Sequence, residues 1–247
     1  MSPPTAGEVV KGGAMAHAAT GYYSEKLAAE RLCKVYAIAT PRIRQYLDAE
    51  IHFVRERIRP DDRVLELGCG YGRVLTKLRR TATQVFGIDT SLASLRHASQ
   101  VAGATDMHLC LMNAVQTAFK SNCFDMTVCI QNGISAFKVN QRSLLMEAIR
   151  ITRPGGSVLF SSYAENFWPH RLDWFRAQAE YGLLGEIDEA ATGNGVIVCK
   201  DGFRATTIGP DDFRSLVQEV GTTASITTVD DSSVFCDITV PVEKERP

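Results

Sequence analysis

The sequence of 247 residues lacks the features that mark several classes of protein. Its seven cysteines form no C-x-x-C pair, and no segment has the roughly 18 uninterrupted apolar residues of a membrane span. The net charge is only −1, and no internal repeat is visible. These absences argue against a cysteine-ligated metal site, a membrane helix and a protein built mainly to grip nucleic acid.

The cysteines and the first residues indicate where the protein works. An odd number of cysteines without metal-ligand spacing, several of them inside apolar runs, indicates reduced, small core residues. Residues 1–20 hold two prolines and three glycines but no apolar signal-peptide core, so we expect a flexible tail there. We therefore expect a cytoplasmic location and no membrane partner.

What the sequence does contain is the run RVLELGCGYGR at residues 63–73. An apolar run of strand length leads into Gly68, Gly70 and Gly72, and residues 74–78 then have the pattern of an amphipathic helix. Strand, glycine loop and helix bring backbone N–H groups and a helix N-terminus up to a ligand. The alternative is a structural turn in an unrelated α/β protein.

The spacing of the glycines narrows the choice of ligand. A dinucleotide fingerprint, G-x-G-x-x-G, requires a glycine where Arg73 stands. Residues 85–89 read as a second buried strand ending in Asp89, about 20 residues on, where a ribose hydroxyl is usually held. G-x-G-x-G after an acid-tipped strand, with Gly-Ile-Asp next, resembles the class I S-adenosylmethionine (SAM) methyltransferases. Arg-Pro-Gly-Gly at 153–156, before an apolar strand, is similar to the same family at its fifth strand.

The resemblance implies an α/β fold with a Rossmann-like, seven-stranded and mostly parallel sheet. It further implies helices on both faces, an antiparallel last strand, a helical N-terminal lid and an inserted helix and hairpin segment. After the tail at 1–20, we expect a single domain at 21–247. Its parts are the lid helices at about 24–59, the cofactor-binding core at about 60–162, a substrate-shaping insertion at about 163–207, and a closing helix and strands at about 208–240.

Local patterns predict where several elements begin and turn. Helices are predicted to begin at Ser24, Thr40, Ser91 and Asn140. The helix after Thr40 has an apolar stripe that predicts a core-facing side, formed by Ile43, Leu47, Ile51, Val54 and Ile58. Asp201-Gly202 between two β-rich runs predicts a hairpin with a type I′ turn.

The resemblance also assigns residues to the cofactor, SAM, which leaves as S-adenosylhomocysteine (SAH). The glycine loop would hold the methionine end, Glu66 would orient the loop or bind the methionine ammonium, and Asp89 would bind the ribose diol. No metal is expected. The implied cofactor residues are Glu66, Gly68, Cys69, Gly70, Tyr71, Gly72, Asp89, Thr90, Asn113, Ala114, Gln131 and Asn132.

Three of these assignments leave alternatives open. Asn113 stands where the family has an acid that accepts the adenine amino group, and a carboxamide oxygen can still accept that bond. Gln131 and Asn132 leave the carboxyl end of a predicted strand, where ligands bind in open α/β sheets, but they would equally cap the following loop. Cys69 fills a small-residue slot in preference to acting as a nucleophile.

Aromatic residues mark the expected acceptor site. Both tryptophans fall in the aromatic and basic segment at 163–184, and tyrosines flank the first predicted helix. Such side chains suit a flat or cationic acceptor, and their alternative role is to pack against the domain. His170 lies in the same segment and is the candidate general base. The candidate acceptor residues are Tyr22, Tyr23, Tyr163, Trp168 and Trp174.

These residues predict a SAM-dependent methyltransferase that acts on a small-molecule acceptor by in-line methyl transfer. Motifs of the enzymes that methylate DNA bases are absent, so we expect no nucleic-acid partner. Nitrogen or another soft nucleophile is favoured slightly over oxygen. The alternatives are a nicotinamide-dependent Rossmann oxidoreductase and a non-catalytic SAM-binding protein. We expect a monomer or a homodimer.

Overall fold

The computed structural model describes Tyr22, residues 26–101 and residues 107–242. Tyr23 and the predicted tail at 1–20 lie outside the described residues, as does Ser24, the predicted cap of the first helix. The division of the chain into the predicted segments stays a prediction. Within the described ranges, no helix is both long and apolar enough to span a bilayer.

Nine strands are present in the part of the chain that the structure describes. They are β1 Arg63–Leu67, β2 Gln84–Asp89, β3 Met107–Leu111, β4 Phe124–Cys129, β5 Thr152–Tyr163, β6 Ile197–Val198, β7 Arg204–Ala205, β8 Ser225–Val229 and β9 Ser233–Thr239.

Seven of these strands form one sheet in the order β3-β2-β1-β4-β5-β9-β8. The strands from β3 to β5 are parallel, and β9 runs antiparallel to both of its neighbours. This arrangement confirms the predicted Rossmann-like sheet with an antiparallel last strand. The strands β6 and β7 form a separate antiparallel hairpin.

Helices flank the sheet and precede it in the chain. They are α1 Glu30–Ala37, α2 Pro41–Arg55, α3 Leu75–Leu78, α4 Leu92–Val101, α5 Gly133–Ala136, α6 Gln141–Ile151, α7 Trp168–Glu180 and α8 Pro210–Glu219. Side-chain caps begin three of them as the sequence predicts. Thr40 and Asn140 accept the N–H groups of Ile43 and Ser143 at 3.3 and 2.8 Å, and Ser91 caps α4 in the same way.

Local structure differs from the sequence prediction at two points. The helix after the glycine loop is one short turn, Leu75–Leu78, so it offers no long helix N-terminus to a ligand. The hairpin between β6 and β7 lacks the predicted type I′ turn. In that turn type both central residues need positive φ, but here Gly202 has φ 90° while Asp201 is not among the residues with positive φ.

The described chain buries apolar side chains on both faces of the sheet and in a separate cluster. Leu65 and Leu67 of β1 join one sheet core and Val64 joins the other, as alternation along a strand requires. A further cluster, the lid core, joins α1, α2, α7 and the hairpin. Its members include Leu27, Val35, Ile43, Tyr46, Phe167, Trp174, Phe203 and Ala205.

Candidate active site

The carboxyl ends of the parallel strands bring the predicted cofactor residues to one edge of the sheet. The glycine loop follows β1, Asp89 ends β2, and Gln131 comes directly after Ile130 at the end of β4. Ligands of open α/β sheets bind outside this edge. The order of the strands therefore brings residues that are far apart in the sequence to the same edge of the sheet.

The glycine loop adopts a backbone that only glycine accepts easily. Gly68, Gly70 and Gly72 have φ values of 74°, 53° and 80°. A Cβ on Gly70 would lie 3.0 Å from Leu32 of α1, so the first helix covers the loop closely. The loop is therefore both left-handed and enclosed.

Most of the loop's N–H groups are engaged by the chain itself. The N–H groups of Gly68 and Cys69 donate to the carbonyl of Ile88 at 2.8 and 2.9 Å, and Gly72 N–H donates to the carbonyl of Cys69 at 2.9 Å. This corrects the expectation that these N–H groups face a ligand. Recognition of a ligand at this loop therefore depends more on side chains than on backbone N–H groups.

Cys69 fills a buried slot, as the sequence suggested. Its Sγ would lie 2.7 Å from a Cβ on Gly87, so the two residues pack tightly between β1 and β2. Burial raises the pKa of the Cys69 thiol well above its ordinary value, with Glu66 and Asp89 adding to the effect. A neutral, buried thiol is a poor nucleophile.

Asp89 connects the end of β2 to the glycine loop. One carboxylate oxygen accepts the N–H of Gly70 at 2.8 Å, and the other accepts the N–H of Ser91 at 2.7 Å. Burial raises its pKa, and the N–H groups of Ser91, Gly70 and Thr90 oppose that shift. Each oxygen keeps a lone pair for a further donor.

Asn113 and Asn132 differ in how many hydrogen bonds their side chains make within the protein. Asn113 Oδ1 accepts the N–H of Val115 at 3.1 Å and retains one lone pair. Asn132 is buried, donating Nδ2 to the carbonyl of Thr206 at 2.9 Å and accepting Ser162 Oγ at 2.9 Å. The side chain of Asn132 thus joins β4, β5 and the segment after the hairpin.

A polar cluster lies beneath α1 at the ends of β1 and β4. We define it as Tyr46, Glu50, Glu66, Arg73 and Gln131. Glu50 accepts the backbone N–H of Gln131 at 2.7 Å, and the Arg73 guanidinium donates to the side-chain oxygen of Gln131. Each member also has a buried polar atom without an aligned hydrogen bond: Tyr46 OH, Glu50 Oε1, Glu66 Oε2, Arg73 Nε and Gln131 Nε2.

Burial shifts the two acids of the polar cluster toward their neutral forms. Desolvation raises the pKa of Glu66 to about 8, with Asp89 adding to the shift and Arg73 opposing it. Desolvation raises the pKa of Glu50 to about 7, opposed by hydrogen bonds from Ser233 and Ser161, by the N–H of Gln131 and by the charge of Arg73. Such shifts are common at functional sites.

The lid closes over this cluster through aromatic contacts. The Arg73 guanidinium lies 4.2 Å from the ring centroid of Tyr36. Trp174 Nε1 donates to the carbonyl of Val35 at 3.2 Å, and Ala29 N–H donates to Ser94 Oγ at 3.1 Å. The first helix is therefore held from both sides, by α7 and by α4.

Comparisons with known proteins agree with this geometry. Residues 64–156 match the family model described as a methyltransferase domain. Over residues 64–156 the chain is therefore similar to methyltransferase domains. The matched range contains the glycine loop, Asp89, Asn113 and the residues after β4.

Solved structures share the fold of the methyltransferase domain. The PH0226 protein from Pyrococcus horikoshii OT3 is 17% identical with a TM-score of 0.63, covering 89% of this chain and 97% of that chain. A SAM-dependent methyltransferase from Methanosarcina mazei is 17% identical with a TM-score of 0.58, covering 77% and 98%. The N-methyltransferase NodS from Bradyrhizobium japonicum WM9, in complex with SAH, is 14% identical with a TM-score of 0.53, covering 88% and 95%. At these identities the likeness establishes the fold alone.

The aromatic residues predicted for the acceptor site are spread over two places. Tyr163 lies against Tyr46 of the polar cluster, with ring centroids 5.0 Å apart. Trp174 is buried in the lid core, and half-buried Trp168 packs against that core. Tyr22 donates to Asp201 at 2.7 Å, next to the hairpin. Only Tyr163 directly adjoins the polar cluster among these contacts.

His170 is exposed on α7, and its ring centroid lies 5.4 Å from that of Phe167. The next residue, Arg171, is buried, and its guanidinium lies 4.8 Å from the Tyr163 ring. Arg171, rather than His170, therefore lies near the polar cluster. The assignment of His170 as a general base stays a prediction.

A surface groove of about 420 Å³ lies on the outside of the lid and is lined by Tyr22, Lys26, Arg31, Gly182, Leu183, Leu184, Gly185 and Asp201. It is open to solvent, and none of the glycine-loop residues line it. Among the described residues, no group of three or more His, Cys, Asp and Glu side chains is arranged to hold a metal. The buried polar cluster remains the candidate site.

The sequence did not predict three residues of this cluster, namely Glu50, Tyr46 and Arg73. The stripe at Ile43, Leu47, Ile51 and Val54 was assigned to the core alone, yet Glu50 shares that face, and the helix buries it completely. An acid at a core-facing position of an amphipathic helix was the available signal.

Proposed function

We propose that the protein is a SAM-dependent methyltransferase with a small-molecule acceptor, nitrogen being favoured over oxygen as the methylated atom. The observation that carries the proposal is the pairing of Asp89 and Gly70 at the glycine loop, beside a buried set of unsatisfied donors and acceptors. Buried polar groups of folded proteins normally have partners, so this set matches a polar ligand.

The polar cluster fits the amino-acid end of SAM. Glu66 Oε2 lacks a donor, which an α-ammonium would supply. Arg73 Nε and Gln131 Nε2 lack an acceptor, which an α-carboxylate would supply. A zwitterion therefore complements both kinds of unsatisfied atom.

The rest of the nucleoside has matching residues along the same edge of the sheet. Asp89 would accept hydrogen bonds from the ribose hydroxyls with the lone pairs that Gly70 and Ser91 leave free. Asn113 Oδ1 would accept the adenine amino group with its second lone pair. Gly68, Cys69, Tyr71, Gly72, Thr90 and Ala114 would shape the surrounding walls, whereas Asn132 would hold the segment after the hairpin in place.

SAM supplies an activated methyl group when bound. The chain itself therefore has to bind SAM and the acceptor, align them, and exclude water from the site. The closed lid and the burial of the polar cluster suit that task and favour an acceptor small enough to be enclosed. NodS, which shares the fold, is an N-methyltransferase, which supports nitrogen as the methylated atom. Tyr163 and the lid aromatics would form the acceptor wall.

Calorimetric titration with SAM, SAH, decarboxylated SAM and NAD tests the proposal. We expect SAM and SAH to bind, decarboxylated SAM to bind at least tenfold more weakly because Arg73 loses its partner, and NAD not to bind. Glu66→Gln should weaken the binding of SAM, whereas Glu56→Gln, at an exposed acid just beyond α2 that is paired with His52, should leave the affinity unchanged.

Binding of NAD without SAM would favour the oxidoreductase instead. Incubation with SAM carrying a tritiated methyl group and a pooled metabolite extract then separates an enzyme from a non-catalytic SAM-binding protein. An enzyme transfers label to an extract component, and a binding protein with normal SAM affinity transfers none.

A further inference from the structure

Glu50 is an unusual residue for the core face of α2. It is completely buried, and among the buried residues of that helix it alone is charged. Its neighbours on the face include Ile43, Leu47 and Ile51. Burying a carboxyl group in such surroundings is costly unless partners compensate, so its presence calls for a specific reason.

Pairing the backbone N–H of Gln131 does not by itself require a carboxyl group. Glu50 accepts the backbone N–H of Gln131 at 2.7 Å, but the same N–H also donates to Ser161 Oγ at 2.8 Å. A neutral hydroxyl is thus already present to satisfy the amide. A carboxyl group is unnecessary for that purpose.

The second oxygen of Glu50 keeps capacity to accept a further hydrogen bond. Its Oε1 makes no aligned hydrogen bond, although the hydroxyls of Ser161 and Ser233 lie beside the carboxyl group and favour its charged form. Tyr46 OH, one helical turn before Glu50, is likewise buried, and Tyr163 is its hydrogen-bonding neighbour. The core face of α2 therefore presents a buried carboxyl group and a buried hydroxyl close together, and the carboxyl group can accept one more donor.

This place adjoins the residues proposed to hold the methionine end of SAM. Glu50 contacts the backbone of Gln131, whose side chain accepts a hydrogen bond from Arg73. On its other side the rings of Tyr46 and Tyr163 lie 5.0 Å apart. An acceptor atom at Glu50 would consequently lie between the cofactor end of the cluster and an aromatic wall.

We propose that Glu50 is the catalytic proton acceptor, and that the methyl acceptor is a primary or secondary amine whose N–H donates to Glu50 Oε1. This inference rests on the proposed methyltransferase function and adds to it the acceptor class and the base. It replaces the exposed His170 in that role.

The proton and electron balance of the step is complete. The Glu50 carboxylate takes one proton from the ammonium form of the acceptor, which leaves a neutral amine and a carboxylic acid. The nitrogen lone pair then forms the bond to the methyl carbon, and the electrons of the breaking carbon–sulfur bond return to sulfur. The products are a methylated ammonium and neutral SAH, and Glu50 returns its proton to solvent when the lid opens.

The acidity of Glu50 suits this role. Burial raises its pKa to about 7, so near neutral pH it both accepts and releases a proton. The surrounding elements present Arg73 and Ser233, which favour the charged form, and tyrosines that remain neutral. The groups that face it are Tyr36, Tyr46, Glu66, Arg73, Cys129, Ser161, Tyr163 and Ser233.

The variant Glu50→Gln tests the inference, because its side-chain oxygen can still accept the N–H of Gln131. The probes are SAM with a tritiated methyl group and a pool of primary, secondary and tertiary amines, phenols, alcohols and thioethers. We expect label on primary or secondary amines and a wild-type rate that rises with pH around 7. Glu50→Gln should lose roughly 100-fold or more in rate together with that pH dependence. Glu56→Gln, an exposed acid just beyond the same helix, is the matched control.

SAH titration of both variants keeps the result interpretable. SAH affinity within threefold of wild type shows that Glu50→Gln is folded and that only transfer is affected. A rate within threefold of wild type, or label mainly on tertiary amines or thioethers, would overturn the assignment of Glu50 alone. Failure of the wild type to bind SAM and SAH would instead overturn the proposed function and this inference with it.

Discussion

Asp89 has two roles at once, since its carboxylate holds the N–H groups of Gly70 and Ser91 and is proposed to bind a ribose diol. Asp89→Ala removes both, so a simple loss of affinity does not separate them. We expect SAH to bind about 1–3 kcal/mol more weakly to this variant because charged hydrogen bonds are lost. Calorimetry measures the change.

A double-mutant cycle isolates the ribose contact at Asp89. Wild-type protein should bind the 2′,3′-dideoxy analogue of SAH more weakly than SAH itself. In Asp89→Ala that difference should disappear, because the partner of the hydroxyls is gone. An undiminished difference between the two ligands would place the ribose elsewhere.

The buried acids of the polar cluster predict how stability depends on pH. The pKa of Glu66 is raised to about 8 by burial, so the folded protein binds more protons than the unfolded chain between about pH 4.5 and 8. The free energy of unfolding should therefore fall as pH rises through this window, by an amount on the order of 4 kcal/mol from Glu66. Glu50 adds a smaller loss, complete by about pH 7.

Glu66→Gln should flatten this pH dependence, because an amide carries no titrating charge. Urea unfolding at pH 5, 6, 7 and 8 gives the free energies, with Glu147→Gln as the control. The pKa of Glu147 is lowered below its ordinary value by Arg150 and Thr117, so its substitution should not flatten the curve above pH 5. Equal slopes for wild type and Glu66→Gln would contradict the prediction.

At the residue scale, the sequence predicted the site residues that belong to a short motif. It did not predict the residues that only tertiary contacts bring to the site. Gly68 and Asp89 belong to local patterns, so their positions followed directly from spacing. Glu50 lies 81 residues before its partner Gln131, and nothing local pairs them. His170 looked favourable because of its aromatic neighbours, yet helical phase places it on the exposed side of α7.

At the scale of elements, α1 covers the glycine loop, since a Cβ on Gly70 would lie 3.0 Å from Leu32. It is held by the bond from Trp174 Nε1 to the carbonyl of Val35 and by the bond from Ala29 N–H to Ser94. We expect Trp174→Phe to loosen α1, because the ring still fills much of the space but the hydrogen bond is lost. Amide hydrogen exchange of residues 30–37 should become several-fold faster.

The matched control for Trp174→Phe is Tyr181→Phe, since Tyr181 is exposed just beyond the same helix. Added SAH should slow exchange of α1 in both variants, because the closed lid covers the proposed site. If exchange of α1 in Trp174→Phe equals that of wild type, then the tryptophan does not hold the lid.

Elements followed from the sequence where periodicity and caps agreed. The helix after Thr40 and Pro41 and the helix after Asn140 begin as predicted, because cap chemistry is local. The helix after the glycine loop was expected at 74–78 and is present at Leu75–Leu78, one residue shorter. The turn at Asp201 also differs, since the bond from Gly202 N–H to the carbonyl of Cys199 shifts its register.

At the scale of the whole molecule, the lid core is a body of packing distinct from the two sheet cores. The polar cluster lies where they meet, with Glu50 and Tyr46 from the lid side and Glu66 and Arg73 from the sheet side. A ligand that bridges the two sides should couple their unfolding. Because the polar cluster separates the lid core from the sheet cores, we expect these cores to unfold with different free energies.

Native-state hydrogen exchange under increasing urea tests this coupling. Without ligand, amides of the lid core such as those of Val35 and Phe203 should exchange through a partial opening of lower free energy than global unfolding. SAH at 100 times its dissociation constant should raise that opening free energy by about 2.7 kcal/mol, because the ligand must leave before the lid core opens. The amides of β1 and β4 should gain the same amount through global unfolding. A gain confined to the sheet amides would mean that SAH stays bound when the lid core opens, and Glu50 would then lie outside the ligand site.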